Sequence, residues 1–320
     1  LGAMAASANL LIGIPFPALL IGMTLVTLVM EIFVSYKTYA TFLKYLTLSL
    51  LAYVVTLFVV KQPWDEIALR TFIPNISLNR DYLFNIVALL GTTISPYLFF
   101  WQANEEVEEE IAEGKLKAMG VGTPRIHDED LKKLRWDTVM GMTFSNVISF
   151  FIIATAASTF GAHGITDIST ADEAAKALEP LAGAFAQLLF AIGIIGTGLL
   201  AVPVLAGSAS YAISETFQWD GGLSLKLKQA HGFYGVITLA TLAGLLINFI
   251  RIPPFKILYG SAILNGLIAP PLMVLILLIS SNKAIMGKYT NNRWGNILGW
   301  TITCLMALAS ADLVISLLQR

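Results

Sequence analysis

A polytopic α-helical membrane protein is the fold class this sequence predicts, and three observations predict it. Only 13% of its 320 residues are charged and 56% are apolar, against a charged share of about a quarter in soluble domains. Several apolar runs reach the roughly 20 residues that a helix needs to cross a bilayer core about 30 Å thick. These runs are apolar all round, whereas a surface helix is apolar along one stripe. They exceed the length of buried strands, and they lack the apolar–polar alternation of a membrane barrel.

In chain order the reading is one partial span, 1–13, and eight full spans: 17–35, 44–61, 82–101, 138–158, 181–213, 232–250, 254–280 and 296–318. Together they make residues 1–320 a single transmembrane domain. The sequence opens on Leu1, and its first run is too short to span and has no signal-peptide pattern. The expectation is therefore a chain that starts partway through a helix, with its first helices missing.

Charge placement orients the spans. Connections after 17–35, 82–101, 181–213 and 254–280 hold thirteen basic residues: Lys37, Lys44, Lys115, Lys117, Arg125, Lys132, Lys133, Arg135, Lys226, Lys228, Lys283, Lys288 and Arg293. The opposite side holds seven: Lys61, Arg70, Arg80, Lys176, Arg251, Lys256 and Arg320. The positive-inside rule puts the richer side in the cytoplasm. The 103–137 connection is then cytoplasmic and partly helical over 105–117, with Glu113 and Lys117 spaced to pair. The 159–180 connection, with Asp167, Asp172, Glu173 and Glu179, is external.

Other classes are excluded by what the chain lacks. A net charge of −1 gives no reason to expect nucleic acid. One cysteine, Cys304, allows no internal disulfide, and His127, His163 and His231 are scattered, so no zinc spacing exists. No nucleophile stands at useful spacing from a base, and no phosphate-cradling glycine motif opens a helix. An enzyme and a bound cofactor are therefore not expected.

The span over 82–101 carries the chemistry. Gly91, Thr92, Thr93, Ser95 and Pro96 interrupt an otherwise apolar helix near its middle. Pro96 has no N–H and crowds the carbonyl four residues back, and it pushes Ser95 away from helical geometry. Carbonyls near Thr92 then lose their partners and must face protein or a wet cavity. Broken helices present backbone oxygens to ions in many transporters. The same residues also fit a proline kink without a ligand, held by Ser and Thr hydroxyls bonded back to the helix.

Further polar residues lie within spans. Asn265 sits just before Pro270–Pro271. Asp312 reads as reaching the headgroups from near a helix end, Asn146 as an interhelical hydrogen bond, and Asn248 as solvated at the interface. Gly193, Gly196, Gly198, Ala201 and Gly207 read as close helix packing. Residues Glu105–Glu110 read as a solvated helix face.

Three stretches carry a family resemblance: ANLLIGIPF at 8–16, GTTISPYLFFWQ at 91–102, and APPLMVLILLISSNKAIMG at 269–287, followed by NNRWGNILGW at 291–300. Their order resembles the Nramp family of proton-coupled divalent-metal transporters. Ser281, Asn282, Lys283, Met286 and Gly287 match the turn that ends the family's tenth helix. The resemblance implies the fold of the amino acid–polyamine–organocation superfamily, a leucine-transporter-like bundle of inverted repeats with a discontinuous helix. It also implies a multi-pass protein of the bacterial plasma membrane that exchanges metal by rocking one bundle against another. Here the chain would hold the second repeat and only part of the first, so the Asp-Pro-Gly-type break of the family's first helix is absent.

This sequence departs from the family where the family has its Met-Pro-His triplet. Ser95 stands at the Met and Tyr97 at the His. A thioether favours soft transition metals, whereas hydroxyl and carbonyl oxygens are hard. The resemblance therefore implies a divalent ion of the Mg/Mn/Fe class as the transported partner, with Thr92 and Ser95 at the metal. Pro96, Tyr97 and Asn265 line its path, and protons are a further partner if coupling survives the lost His. The alternatives are an amino acid or other organic solute carried on the same fold, and a non-transporting relative.

Overall fold

The computed structural model describes the chain apart from residues 35–37, 39–40, 42–44, 46–50, 60–62, 78, 120, 123–125, 162–163, 165–167, 177–184, 251 and 319–320. The described elements are helices: α1 (Gly2–Ile12), α2 (Phe16–Phe33), α3 (Leu51–Val59), α4 (Trp64–Phe72), α5 (Arg80–Thr93), α6 (Pro96–Ala112), α7 (Asp128–Thr159), α8 (Ala171–Lys176), α9 (Ala186–Phe217), α10 (His231–Leu246), α11 (Pro254–Ser281), α12 (Lys283–Met286) and α13 (Arg293–Leu318). Among the described residues, seven helices are long and apolar enough to cross a membrane, the run 80–112 counting as one. Their outer faces carry large apolar side chains, Leu239, Leu305 and Leu308 being 62–69% exposed. Faces of that kind suit a hydrocarbon solvent and not water.

Helix limits differ from the expected spans where polar chain continues a helix. α7 begins at Asp128 and not at 138, because Asp128, Glu129 and Asp130 fill its first turn, where carboxylates favour the positive end of the helix dipole. Asp130 Oδ2 also accepts the His127 N–H at 2.8 Å, closing that end. α4 was not anticipated; Asp65 and Glu66 open it and Arg70 closes it. α6 stops at Ala112, short of the 117 expected. Beyond the helix, Glu113 pairs with Lys115 at 2.7 Å, not with Lys117, and Lys115 also meets Asp130 at 2.8 Å. Those two carboxylates, Asp130 first, hold the Lys115 ammonium above its usual range. The ends of the 44–61 span and the start of the 181–213 span fall outside the described residues, as do Lys37, Arg125, Arg251, Arg320, His163, Asp167 and Glu179.

The chain divides into two compact units, Leu1–Phe72 with Phe100–Phe255, and Ile73–Phe99 with Lys256–Arg320. In the first unit, the small residues of α1 pack against α2 and α9. Ala5 and Ala8 meet Leu19 and Leu20, with Ile195 and Leu245 against them. Gly198 of α9 sits against the Met4 side chain and Gly207 against the Trp101 ring, so those two glycines serve the close packing expected of them.

The acidic run of α6 is not a solvated face. Glu108 is 6% exposed. Its carboxylate accepts the Tyr211 hydroxyl at 2.5 Å, the Leu223 N–H at 2.7 Å and the Ser224 N–H at 2.8 Å. Gly222 adopts φ 147° directly against this carboxylate, and a Cβ there would lie 2.5 Å from Oε1. Only glycine takes this conformation and leaves this space. The carboxylate thereby ties the connection between α9 and α10 to α6. Around it, the Tyr211 and Phe233 rings meet edge to face at 4.9 Å.

Glu108→Ala strands one buried hydroxyl and two backbone N–H groups, at about 1–3 kcal/mol for each group left without a partner. The expected outcome is a melting midpoint several degrees lower in detergent, measured by fluorescence. Glu109→Ala removes only an exposed, solvent-screened pair with Lys133 and should leave the midpoint nearly unchanged.

Candidate functional site

Every residue expected at the site falls in the second unit, which comprises α5, the first turn of α6, α11, α12 and α13. Asn79 starts α5 by accepting the Tyr82 N–H at 2.9 Å. The helix runs to Thr93 and stops. Ile94 leaves helical geometry at φ −104°, ψ 72°, and α6 starts afresh at Pro96. Proline suits a first helical turn, where no intrahelical N–H bond is required. The helix is therefore discontinuous at Ile94–Ser95, as the sequence predicts.

The interruption is bridged by hydroxyls. Ile94 N–H still reaches the Leu90 carbonyl at 2.7 Å, the last regular bond of α5. An unbroken helix would next join Ser95 N–H to the Gly91 carbonyl and the residue 96 N–H to the Thr92 carbonyl. Pro96 has no N–H to give. Ser95 Oγ instead lies 3.1 Å from the Gly91 carbonyl and 2.9 Å from the Thr92 carbonyl. Its single hydrogen serves one of them at a time. Thr92 and Thr93 hydroxyls both donate to the Leu89 carbonyl, at 2.7 Å and 3.0 Å. Ser95 and Pro96 are buried, Thr92 is exposed and Tyr97 is half-buried.

A second proline break crosses close by. Pro270 lies inside α11 and removes the donor for the Gly266 carbonyl. Ser310 of α13, itself 7% exposed, donates to that carbonyl at 3.0 Å. Gly266 also faces α5 without a side chain between the two backbones. A Cβ on Gly266 would lie 2.5 Å from the Val87 carbonyl oxygen, and one on Gly91 would overlap backbone atoms of Ala262 and Gly266. Tyr259 donates to Asn85 Oδ1 at 2.9 Å, a second tie between the same helices.

Asn265 stands half-buried beside Gly266. The structure brings it to this crossing, but among the described residues no hydrogen bond joins it to Ser95 or Thr92. The oxygens available at the break are the Thr92 and Gly91 carbonyls and the Ser95 hydroxyl, all hard donors. Among the described residues no group of three His, Cys, Asp or Glu side chains could hold a metal.

Other polar residues resolve individually. Among the described residues Asn146 makes no interhelical bond: its Nδ2 donates to the Met142 carbonyl of its own helix at 2.8 Å, and the residue is exposed. The cause is geometric, because a short amide reaches the i−4 carbonyl more easily than a neighbouring helix. Asn248 does the same to Gly244 and is half-buried. Asp312 and Cys304 are exposed on α13. The 281–287 motif is a turn: Asn282 Oδ1 accepts the Ala284 N–H at 2.9 Å, and Gly287 closes α12 at φ 56°.

These features define a polytopic helical membrane protein in which the break between α5 and α6 carries backbone and hydroxyl oxygens. Residues 1–316 match the family described as natural resistance-associated macrophage protein-like, abbreviated Nramp. The chain belongs to that family. Curated relatives agree. The chain is 29% identical over 252 residues to the divalent metal cation transporter MntH of Caldanaerobacter subterraneus subsp. tengcongensis, covering 78% of this chain and 54% of that protein. Identity to the MntH of Clostridium acetobutylicum is 26%, over 82% of this chain and 56% of the relative. For the MntH of Klebsiella pneumoniae (strain 342) the values are 23%, 83% and 60%. The chain thus spans a little over half the length of these relatives.

The α5–α11 crossing yields a signed test. Gly91→Ala places a methyl group into backbone that cannot swing aside, so a loss of about 1–3 kcal/mol is expected. Gly260→Ala, on α11 with open space around it, should stabilise by about 0.5–1 kcal/mol through helix propensity. Opposite shifts of the melting midpoint in detergent check this, and equal shifts would contradict it.

Proposed function

We propose that this chain is part of a secondary transporter of a divalent metal cation of the Mg/Mn/Fe class, working by alternating access. Family membership supports this, since the relatives carry the name of divalent metal cation transporter. The observation that carries it is the interruption at Ile94–Ser95, where the Thr92 carbonyl has lost its helical donor to Pro96 and keeps only the Ser95 hydroxyl. A carbonyl has two lone pairs. In this reading one stays with Ser95 Oγ and the other meets the ion. The hydroxyl that donates to Thr92 turns its own lone pairs outward, so both oxygens serve one cation.

Two oxygens do not complete a coordination shell, because Mg²⁺ takes six ligands and Ca²⁺ six to eight. Mg²⁺ keeps several waters when bound by proteins, and an ion that enters partly hydrated suits this donor set. The metal is cargo here and not a cofactor. Asn265 and Tyr97 line the path, Pro96 holds the break open, and the fold is the inverted-repeat bundle implied by the resemblance. The thirteen-residue basic side faces the cytoplasm of a bacterial cell, and protons are the coupled ion.

The test exchanges the donor. In vesicles containing the full-length protein, Ser95→Met should raise uptake of Mn²⁺ or Cd²⁺ relative to Mg²⁺ several-fold, since a thioether is soft. Unchanged preference would remove Ser95 from the ligand set. Titration calorimetry with metals and with a panel of amino acids separates the substrate classes. Heats from amino acids alone would replace the metal reading with an organic one.

A further inference from the structure

A second buried carboxyl, outside the broken helix, lies in the first unit. Glu31 stands in the last turn of α2 and is 5% exposed. Among the described residues neither of its carboxyl oxygens has a partner at full hydrogen-bonding geometry. It lines a small enclosed cavity together with Met30, Val34, Trp101, Pro203, Leu223 and Ile237. The polar group beside it is the Thr241 hydroxyl of α10, which is 2% exposed and also unpartnered.

Among the described residues no charge compensates Glu31. α1 carries no titratable side chain. On α9, Tyr211 is taken up by Glu108, and Glu215 is exposed. On α10, Tyr234 donates to the Leu225 carbonyl, and His231 is exposed. α6 contributes only the Trp101 indole to the cavity. Glu31 also sits at the C-terminal end of its helix, where the dipole disfavours negative charge. An ionised carboxylate without a partner is among the most expensive groups to bury, and inside a membrane such residues mark ion or proton pathways.

We infer that Glu31 and its cavity form a proton-binding site: the carboxyl carries a proton, and Thr241 is its hydrogen-bonding neighbour. A metal ion does not fit. One carboxyl and one hydroxyl among aliphatic side chains, a thioether and an indole offer too few donors for Ca²⁺ or Mg²⁺, whereas a proton needs one oxygen. Proton uptake converts the carboxylate to a neutral acid, which can donate to Thr241 Oγ1. This site does not depend on the transport reading, since binding a proton requires no metal and no uptake.

Infrared spectroscopy of the protein in lipid bilayers at pH 7 tests it directly. The wild type should show a protonated-carboxyl C=O band that shifts in D₂O. Glu31→Gln should lose that band with an unchanged melting midpoint, because an amide mimics the neutral acid. Identical carboxyl regions in wild type and Glu31→Gln would overturn the inference. Should Glu31→Gln not fold, Thr241→Val reads the same group: a shifted protonated band supports the site, and an unshifted or absent one overturns it.

Discussion

A backbone carbonyl that loses its helical N–H in hydrocarbon has no water to turn to, and in the second unit serine hydroxyls cover two of the carbonyls freed in this way. Pro96 frees Thr92 and Pro270 frees Gly266. In each case a serine hydroxyl supplies the missing hydrogen: Ser95 from the break itself, Ser310 from a different helix. The two repairs are adjacent, because Gly91 and Gly266 let α5 and α11 touch backbone to backbone. An unsatisfied group there would cost several kcal/mol. The hydroxyls are therefore part of what keeps a broken helix folded, whatever else the break does.

This dual duty constrains the chemistry. Ser95 Oγ has one hydrogen for two carbonyls, so the Gly91 and Thr92 oxygens share it. In the proposed reading a cation would compete with that hydrogen for Thr92 lone pairs and attract the hydroxyl's own. Replacing the serine by methionine changes two things at once. It adds a soft donor, and it uncovers both carbonyls. In this chain the serine covers a pair of hard carbonyl oxygens.

Much of this was legible in the sequence, for identifiable reasons. Pro96 within a Gly-Thr-Thr-Ile-Ser run dictates a break in any helix that carries it, and the break came where expected. Long apolar runs fix which segments can lie in a bilayer. Of the two alternatives left by the sequence, the back-bonded hydroxyls are what the structure displays, and presentation of oxygens to an ion belongs to the proposed function. Glu108 was misread because five glutamates in a six-residue run look like a solvated face. Its burial depends on Gly222 and on two N–H groups more than a hundred residues away. Asn146 was misread because an amide in a span suggests a partner helix, and nothing local reveals that its own Met142 carbonyl takes the bond. Pro203 and Glu31 carried no motif, and only tertiary packing puts them around one cavity.

The first unit holds two buried carboxyl groups in opposite surroundings, and the contrast bears on what each does. Glu108 meets three donors, two of them backbone N–H groups fixed by a glycine turn, so its oxygens are matched to carboxylate acceptors. Among the described residues Glu31 meets none at full hydrogen-bonding geometry, and the polar group beside it is the Thr241 hydroxyl. Buried networks rigidify when every member is satisfied, which suits Glu108 as a fixed tie between α6 and the α9–α10 connection. A carboxyl whose surroundings supply no fixed donors gains nothing from staying charged and can exchange its proton without dismantling a network. Leu223 belongs to both sites: its side chain lines the Glu31 cavity and its N–H is held by Glu108. The carboxylate that holds the Leu223 N–H thus fixes part of the wall of the cavity that Glu31 lines.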